Sequence, residues 1–170
     1  MPLGEQDRER KMHELTEGWF EDKFADRFFW DFISAVQWHD DLVDGDTNFG
    51  RRDAKALLDL FLYEIPGNQF FLAYHRLLLP VIRKIISDWD AATEIEIEAR
   101  ETGNLSLLTC SFELRNSFFD LATYIVDVKF GAPKRREFAS LWLPISRDYE
   151  DLKSYMKKVT AKTRPMKEDY

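Results

Sequence analysis

The sequence predicts an all-α protein, a single compact helical bundle over residues 1–170, on three observations. Apolar residues recur at intervals of three and four over most of the chain, which is the period of an α-helix. Seven glycines and six prolines leave few helix breaks, and residues 69–101 contain no glycine. Fourteen phenylalanines and five tryptophans supply large apolar side chains for one core, and a chain of this length buries about two-thirds of its surface.

Two helices are predicted in the first third of the chain. Residues 1–8 are polar, and we expect them to be disordered. A long helix is predicted over residues 21–44, and the turn composition of residues 45–50 ends it. Asp53 is a suitable cap for a second helix, which the Pro66–Gly67 pair ends. The residues expected to face the core in these helices are Phe24, Phe28, Phe32, Ala35, Leu42, Leu57, Leu60 and Phe61.

The middle of the chain predicts two more helices. Asn68 is expected to cap a third helix that runs to about residue 88, and Pro80 is expected to kink it because proline removes a backbone hydrogen bond. A fourth helix is predicted from Asp90, although residues 94–98 alternate between Glu and Ile as a strand would. Since a lone strand would have nothing to pair with, we favour the helix.

The last third of the chain predicts one buried helix and two shorter ones. Gly103–Asn104 is either a break or a tolerated defect, and the apolar helix that follows is predicted over residues 105–129, with Gly131-Ala132-Pro133 as its end. Two further helices are predicted over 134–143 and 147–162, the second polar enough to lie on the surface. Nothing in the sequence repeats or marks a linker, which favours one helical bundle.

Composition and charge exclude several partners. The net charge of −7 argues against nucleic acid, because phosphate binding needs a basic surface. The lone cysteine, Cys110, excludes an internal disulfide and fits a reducing compartment, and its leucine neighbours predict burial. No signal peptide is visible and no apolar run approaches the ~20 residues of a membrane span, so we expect a cytoplasmic protein. The residues of one basic cluster, interpreted as a solvated helix face, are Lys153, Lys157, Lys158, Lys162, Arg164 and Lys167.

The chemically most suggestive segment is His39-Asp40-Asp41-Leu42-Val43-Asp44, at the end of the first long helix. Asp40 and Asp44 are four residues apart and therefore share a helix face. The helix dipole places partial negative charge at this end, so the aspartates lower stability unless a cation offsets them. Mg²⁺, which prefers oxygen ligands, or an arginine such as Arg51 or Arg52 would do so. Solvated turn residues are the alternative interpretation.

Residues 39–44, followed by the arginine pair at 51–52, resemble the first aspartate-rich motif of the trans-prenyltransferases, a class I isoprenoid synthase family. In that family a DDxxD motif, often after a histidine, precedes a short loop and paired arginines. The resemblance covers about residues 35–52 and implies an isoprenoid-synthase-like fold in reduced form; no second DDxxD occurs here. It also implies Mg²⁺ that bridges the protein to a diphosphate-containing ligand. The implied metal ligands are Asp40, Asp41 and Asp44, and the implied diphosphate contacts are Arg51 and Arg52.

A set of polar residues recurs at alternating spacings of three and four along the predicted helix 105–129. Because the other faces of this helix are apolar, the set predicts either a narrow solvent-facing strip or the wall of a polar cavity. It contains no lysine or arginine, so buried carboxylates in it would need a metal ion or a basic partner. If it faces Asp40 and Asp44, the two groups form a two-sided acidic site. This set, the polar stripe, comprises Ser106, Thr109, Glu113, Asn116, Asp120, Thr123 and Asp127.

Two other enzyme classes fit parts of the sequence. HD-type metal-dependent phosphohydrolases are all-helical and bind metal through a distant histidine, a His-Asp pair and a later aspartate. The residues available for that set are His13, His39-Asp40 and one of Asp88, Asp120 or Asp127. Helical nucleotide pyrophosphatases hold Mg²⁺ between glutamate motifs on neighbouring helices. The residues available for those motifs are Glu94, Glu98 and Glu101, with Glu113 and Asn116 opposite.

A non-enzymatic role is the remaining alternative. The aromatic share of 15% is high, and adjacent aromatic residues would suit a surface through which copies of the chain associate. Such a protein would be a helical scaffold or a homo-oligomer rather than an enzyme. The aromatic residues considered for that surface are Phe28, Phe29, Trp30, Phe70 and Phe71.

Overall fold

The structure, a computed structural model, describes residues 5–43, 50–147 and 149–162. The all-α prediction is confirmed, because these residues form a helical bundle and contain no strand. In chain order the helices are α1 (Glu5–Phe20), α2 (Lys23–Val43), α3 (Arg51–Asp59), α4 (Ile65–Gly67), α5 (Gln69–Thr102), α6 (Leu105–Arg115), α7 (Asp120–Phe130), α8 (Ala132–Ser146) and α9 (Tyr149–Lys162), with a π-helical turn at Leu60–Glu64 and a 3₁₀ turn at Asn116–Phe119.

The N-terminal segment is more helical than its composition predicts. Helix α1 begins at Glu5, so residues 5–8, expected to be disordered, form its first turn; residues 1–4 lie outside the described part of the chain. The turn is stabilised locally, because Arg10 forms ion pairs with Asp7 and Glu14 at helical spacing. Polar composition therefore did not distinguish an exposed helix from a disordered segment.

The main core lies between α1, α2, α7, α8 and the first half of α5. Phe28 and Phe29 of α2 are fully buried, and Phe29 meets the buried Trp142 of α8 edge to face, with ring centroids 5.6 Å apart. A second, smaller cluster joins the C-terminal half of α5 to α6 and α9. The buried residues of this second cluster are Ala99, Leu108 and Val159.

The predicted core face of the second helix is only partly correct. Leu57 and Leu60 are buried as expected, but Phe61 is 45% exposed. The chain forms a π-helical turn from Leu60 to Glu64, and the wider turn shifts the angular position of the residues within it relative to an α-helix. Leu42, near the end of α2, is also exposed rather than buried, because it lies beyond the main core.

Asn68 fixes the start of the longest helix, as the sequence predicts. Its side-chain oxygen accepts hydrogen bonds from the backbone amides of Phe70 and Phe71, at 2.9 and 3.2 Å. Its amide nitrogen donates to the carbonyl oxygen of Phe24, 3.0 Å away. Asn68 is itself buried, so one side chain both caps α5 and ties it to the first turn of α2.

Helix α5 continues without a break from Gln69 to Thr102, so the predicted separation of a third and a fourth helix near residues 88–90 is wrong. Residues on both sides of the expected break contribute to the same packed face, because Ile85 and Ala92 are both buried. Gly103, at φ +69°, then reverses the chain. Helices α5 and α6 pack against each other as an antiparallel pair.

The predicted helix over residues 105–129 is two α-helices joined by the 3₁₀ turn Asn116–Phe119. The indole nitrogen of Trp142 donates to the carbonyl oxygen of Phe119, 2.9 Å away, at the end of this turn. The interruption changes which residues share a face. Residues 116 and 120 lie about 40° apart around an α-helix but about 120° apart after four residues of 3₁₀ geometry.

The aromatic residues proposed for an oligomerisation surface are core residues instead. Phe28, Phe29 and Phe70 are buried, and Trp30 and Phe71 are partly buried against the same core. Their adjacency in sequence reflects two helices that each present aromatic side chains to the interior. Cys110, by contrast, is exposed rather than buried, because it lies on the side of α6 opposite the buried Leu108 and Phe112. In the described part of the chain, no helix combines the length and the hydropathy needed to cross a bilayer.

Candidate functional site

Asp40 lies in the last turn of α2 and is held by residues of α5 and α6. The indole nitrogen of Trp89 donates a hydrogen bond of 3.2 Å to its Oδ1, and Nη1 of Arg115 lies 3.5 Å from the same oxygen. The Asp40 side chain remains 42% exposed. A positive charge near this helix end offsets the partial negative charge of the helix dipole. Arg115 supplies that charge, and the sequence analysis had not assigned Arg115 to this position.

The other members of the acidic motif are only partly described. Helix α2 includes Asp41, but its side chain lies outside the described part of the structure, as do residues 44–49 with Asp44. Arg51 and Arg52 form the exposed first turn of α3. Asp53 accepts a hydrogen bond of 2.8 Å from the amide of Gly50 and so stabilises that turn. The assignment of Asp40, Asp41 and Asp44 to Mg²⁺ and of the arginines to a diphosphate stays a prediction.

Arg115 also belongs to a buried polar network centred on Glu96. Glu96 is only 7% exposed, and its Oε2 lies 3.1 Å from Nη2 of Arg115. The hydroxyl of Tyr155 donates to the same oxygen at 2.6 Å, and Arg100, one turn away on α5, also contacts the Glu96 carboxylate. Ser111 lies 2.8 Å from the Tyr155 hydroxyl and donates to the Ala92 carbonyl oxygen. The network links α2, α5, α6 and α9.

Sequence reasoning missed this network, although its central residue lies in a segment that had been singled out. Glu94, Glu98 and Glu101, considered for a pyrophosphatase motif, are exposed, whereas Glu96 between them is buried. The burial of Glu96 follows from its helical register with the buried residues Ala92 and Ala99. Burial raises the pKa of the Tyr155 hydroxyl, and the hydrogen bond to Glu96 adds to the increase.

The polar stripe does not form one face toward Asp40. Asn116 lines a cavity together with Asp40, Trp89 and Arg115, whereas Asp120 lines a different cavity. The 3₁₀ turn between the two residues accounts for their divergence. The expected two-sided acidic site is therefore not present among the described residues.

The carboxylates of the polar stripe are instead neutralised by arginines of α8 and its end. Arg147 donates through Nη1 to Glu113 at 2.9 Å and through Nη2 to Asp120 at 2.8 Å. Asp127 pairs with Arg135 at 3.3 Å. Burial raises the pKa of Asp120, and the positive charge of Arg147 opposes the increase. The basic partner that these partly buried carboxylates require thus comes from the protein itself.

The remaining residues of the stripe make local contacts. The Thr109 hydroxyl donates to the Leu105 carbonyl oxygen, and the buried Thr123 donates to that of Asp120. Ser106 is exposed and donates its amide to the Asn104 side chain, which caps α6. Of these three residues, Thr123 lines the same cavity as Asp120.

An apolar cavity of about 270 Å³ adjoins the Asp40 end of α2. Its walls come from α2, α5, the π-helical turn and the 3₁₀ turn, and they are almost entirely apolar. It shares four residues, Val36, Trp89, Arg115 and Phe118, with the cavity that Asp40 lines. The other lining residues are Phe32, His39, Phe61, Ile82, Ile85 and Ile86. An apolar compartment and a charged pair are thus adjacent.

The ligand set of an HD-type phosphohydrolase does not come together. The His13 ring stacks on Trp30 with centroids 3.7 Å apart, and His39 contacts Trp89 at 5.2 Å. Trp30 and His39 are nine residues apart on α2, which separates them by about 13 Å along the helix axis. Among the described residues, no three His, Cys, Asp or Glu side chains are placed to hold one metal ion.

Comparison with known proteins adds no relative. No protein-family model matches the chain, and no curated protein or solved structure is significantly similar to it. The functional interpretation therefore depends on the geometry of the site alone.

Proposed function

We propose that the chain binds a small amphiphilic anion. The hydrocarbon part of this ligand would occupy the apolar cavity, and a phosphate or diphosphate head would lie beside Asp40 at the end of α2. The observation that carries the proposal is the shared wall of the two cavities, formed by Val36, Trp89, Arg115 and Phe118. The proposed ligand belongs to the class that the isoprenoid-synthase-like hypothesis implies. The proposal covers binding of this ligand and does not include catalysis.

The apolar cavity suits a short hydrocarbon chain. Apart from Trp89, whose indole nitrogen is bonded to Asp40, only His39 and Arg115 among its lining residues carry polar groups. A hydrocarbon that enters it gains about 25 cal/mol for each Å² of apolar surface that it removes from water. Phe61 and Ile86 line the cavity and are both partly open to solvent, at 45% and 62% exposure, which provides an entrance.

The charged end of the site suits an anionic head group. Mg²⁺ would join this head to the carboxylates, and a metal ion supplies charge neutralisation of a diphosphate when it is bound. The residues assigned to these roles are Asp40, Asp41 and Asp44 for Mg²⁺, and Arg51 and Arg52 for the head group.

The proposal is limited to binding for a structural reason. Glu113 and Asp120 are paired with Arg147, so they do not supply the second acidic face that prenyl transfer would need. Arg115 already neutralises Asp40, so Mg²⁺ would compete with a guanidinium for this carboxylate. We further propose a cytoplasmic location, because the single cysteine needs no oxidising compartment.

Calorimetric titration with three probes tests the proposal. A short prenyl diphosphate carries both parts of the ligand, the matching prenyl alcohol carries only the hydrocarbon, and inorganic diphosphate carries only the head. We expect the prenyl diphosphate to bind at least about tenfold more tightly than either fragment. Added Mg²⁺ should increase its affinity further. At 100 times its Kd, such a ligand raises Tm by about 5 to 11 °C.

Two variants of α5 locate the site. Ile86→Trp places an indole at the cavity entrance, whereas Ile97→Trp makes the same change at an exposed position of the same helix that does not line the cavity. We expect Ile86→Trp to weaken binding of the prenyl diphosphate at least tenfold and Ile97→Trp to leave it within a factor of two. Equal binding by both variants, or no binding of any probe to the parent protein, would contradict the proposal.

A further inference from the structure

A second, polar cavity of about 300 Å³ lies between α5, α7 and α8. It shares only Ile85 with the apolar cavity, so the two are separate compartments. Three basic residues line it, Lys84 of α5, Arg135 of α8 and Arg147 at the C-terminal end of α8. Its charged and hydrogen-bonding wall residues include Lys84, Ser117, Asp120, Tyr124, Arg135 and Arg147.

Two buried donor atoms at this cavity have no hydrogen-bond partner among the described residues. They are the hydroxyl oxygen of Ser117 and Nε of Arg147. Ser117 is only 4% exposed, so bulk water does not satisfy its hydroxyl. A buried donor without an acceptor is unfavourable, and Ser117 is one of the residues that line the cavity.

The basic residues of the cavity retain donor capacity after their ion pairs are formed. Lys84 contacts Asp88 at 2.5 Å, and Arg135 contacts Asp127 at 3.3 Å. Each pair uses one nitrogen contact, whereas an ammonium carries three N–H groups and a guanidinium five. Arg135 also lies over the ring of Tyr124, 4.5 Å from its centroid, which orients the guanidinium.

We propose that this cavity is a binding site for a small organic oxyanion, a carboxylate or a phosphate monoester with a compact apolar body. The oxyanion would accept hydrogen bonds from Ser117, Lys84 and Arg135. The apolar body would contact the side chains of Val81 and Leu143, which line the same cavity. This site is independent of the amphiphile site proposed above.

Calorimetric titration with benzoate, phenyl phosphate, inorganic phosphate and benzyl alcohol tests the proposal. Benzoate and phenyl phosphate separate the two kinds of oxyanion, inorganic phosphate lacks the apolar body, and benzyl alcohol lacks the charge. We expect benzoate or phenyl phosphate to bind at least tenfold more tightly than both inorganic phosphate and benzyl alcohol. Equal affinity for the neutral and the charged aromatic probes would overturn the proposal.

Matched variants assign the binding to this cavity. Arg135→Gln removes a charge from the cavity wall, and Arg136→Gln removes one from the adjacent exposed residue, which does not line it. We expect Arg135→Gln and Ser117→Ala each to weaken binding at least fivefold, and Arg136→Gln to change it less than twofold. The same small change in all three variants would show that the anion binds elsewhere. Ile86→Trp should leave this affinity unchanged, which separates the result from that of the amphiphile site.

Discussion

Arg115 Nη1 lies 3.5 Å from Oδ1 of Asp40, so a guanidinium of α6 stands at the helix end where the sequence suggested a metal ion. The other terminal nitrogen of the same guanidinium, Nη2, lies 3.1 Å from Oε2 of the buried Glu96. One arginine therefore connects the candidate ligand site to the buried network that joins α5, α6 and α9.

The two sides of Arg115 should differ in their contribution to stability. Arg115→Met leaves the buried Glu96 with fewer partners, and we expect it to lower the free energy of unfolding by about 2 to 4 kcal/mol. Asp40→Asn removes the charge of a carboxylate that is 42% exposed, and we expect a loss of at most about 1 kcal/mol. Urea unfolding of both variants measures the difference. A larger loss of unfolding free energy for Asp40→Asn than for Arg115→Met would show that the network depends on Asp40 and not on Glu96.

The buried hydroxyl of Tyr155 should make stability pH-dependent in alkali. Its pKa in the folded protein is raised above 10.0 by burial and by the bond to Glu96, while the arginine at position 115 opposes the increase. The unfolded chain therefore loses this proton first, and the stabilisation present below pH 10 is lost as the pH rises. We expect the free energy of unfolding to fall more steeply between about pH 9 and 11 in the parent than in Tyr155→Phe, a range of about one unit on each side of the ordinary tyrosine pKa.

A matched control separates this effect from general alkaline unfolding. Tyr63 is 74% exposed, and Tyr63→Phe should keep the parent's dependence on pH. The explanation fails if Tyr155→Phe and Tyr63→Phe give the same slope. Tyr155→Phe should also be less stable than the parent at neutral pH, because it loses the hydrogen bond to the buried Glu96.

The double role of Asn68 can be divided by two substitutions. Asn68→Asp keeps an acceptor for the amides of Phe70 and Phe71 but loses the donor to Phe24, whereas Asn68→Ala loses both. We expect Asn68→Ala to lower the unfolding free energy by about 2 to 3 kcal/mol and Asn68→Asp to lose less. Thermal unfolding at pH 7 measures both variants. If Asn68→Ala costs no more than Asn104→Ala, an exposed cap of α6, the contact with Phe24 contributes nothing.

Arg147 should contribute to the stability of the fold mainly by neutralising its two carboxylate partners. Arg147→Met leaves Glu113 and Asp120 without their cation, and we expect it to lower the free energy of unfolding by about 2 to 4 kcal/mol. In a background that carries Glu113→Gln and Asp120→Asn, the same change should cost less than half as much. A full double-mutant cycle by urea unfolding provides the comparison. Additive losses would mean that Arg147 stabilises α8 through packing alone.

The sequence predicted helix boundaries well where a single residue determines the backbone conformation. Asn68 was predicted as a cap from its type and position, and Gly103 from the break that it introduces. The predicted break at Asp90 failed because an acidic residue at the surface of a long helix looks the same in sequence as one that begins a new helix. Packing of Ile85 and Ala92 on one face, which decides the matter, is a tertiary contact.

The candidate site was harder to predict, because helix register decides which side chains meet. The periodicity of the polar stripe was real, but the 3₁₀ turn that separates Asn116 from Asp120 has no distinct sequence signature. The need for a cation near Asp40 followed from the helix dipole. Its source, Arg115, is 75 residues away in sequence and could be identified only from the packing of α2 against the rest of the bundle.

The indole N–H of Trp89 reports on both parts of the proposed amphiphile site, since it donates to Asp40 and its ring lines the apolar cavity. The most direct test is a ¹H–¹⁵N NMR titration of the five indole signals with a short prenyl diphosphate in Mg²⁺, with Trp89→Phe to assign the signal. The account predicts a saturable shift of the Trp89 signal, while Trp19 and Trp142, which line neither cavity, stay in place. A Trp89 signal that does not move at saturating ligand would contradict it.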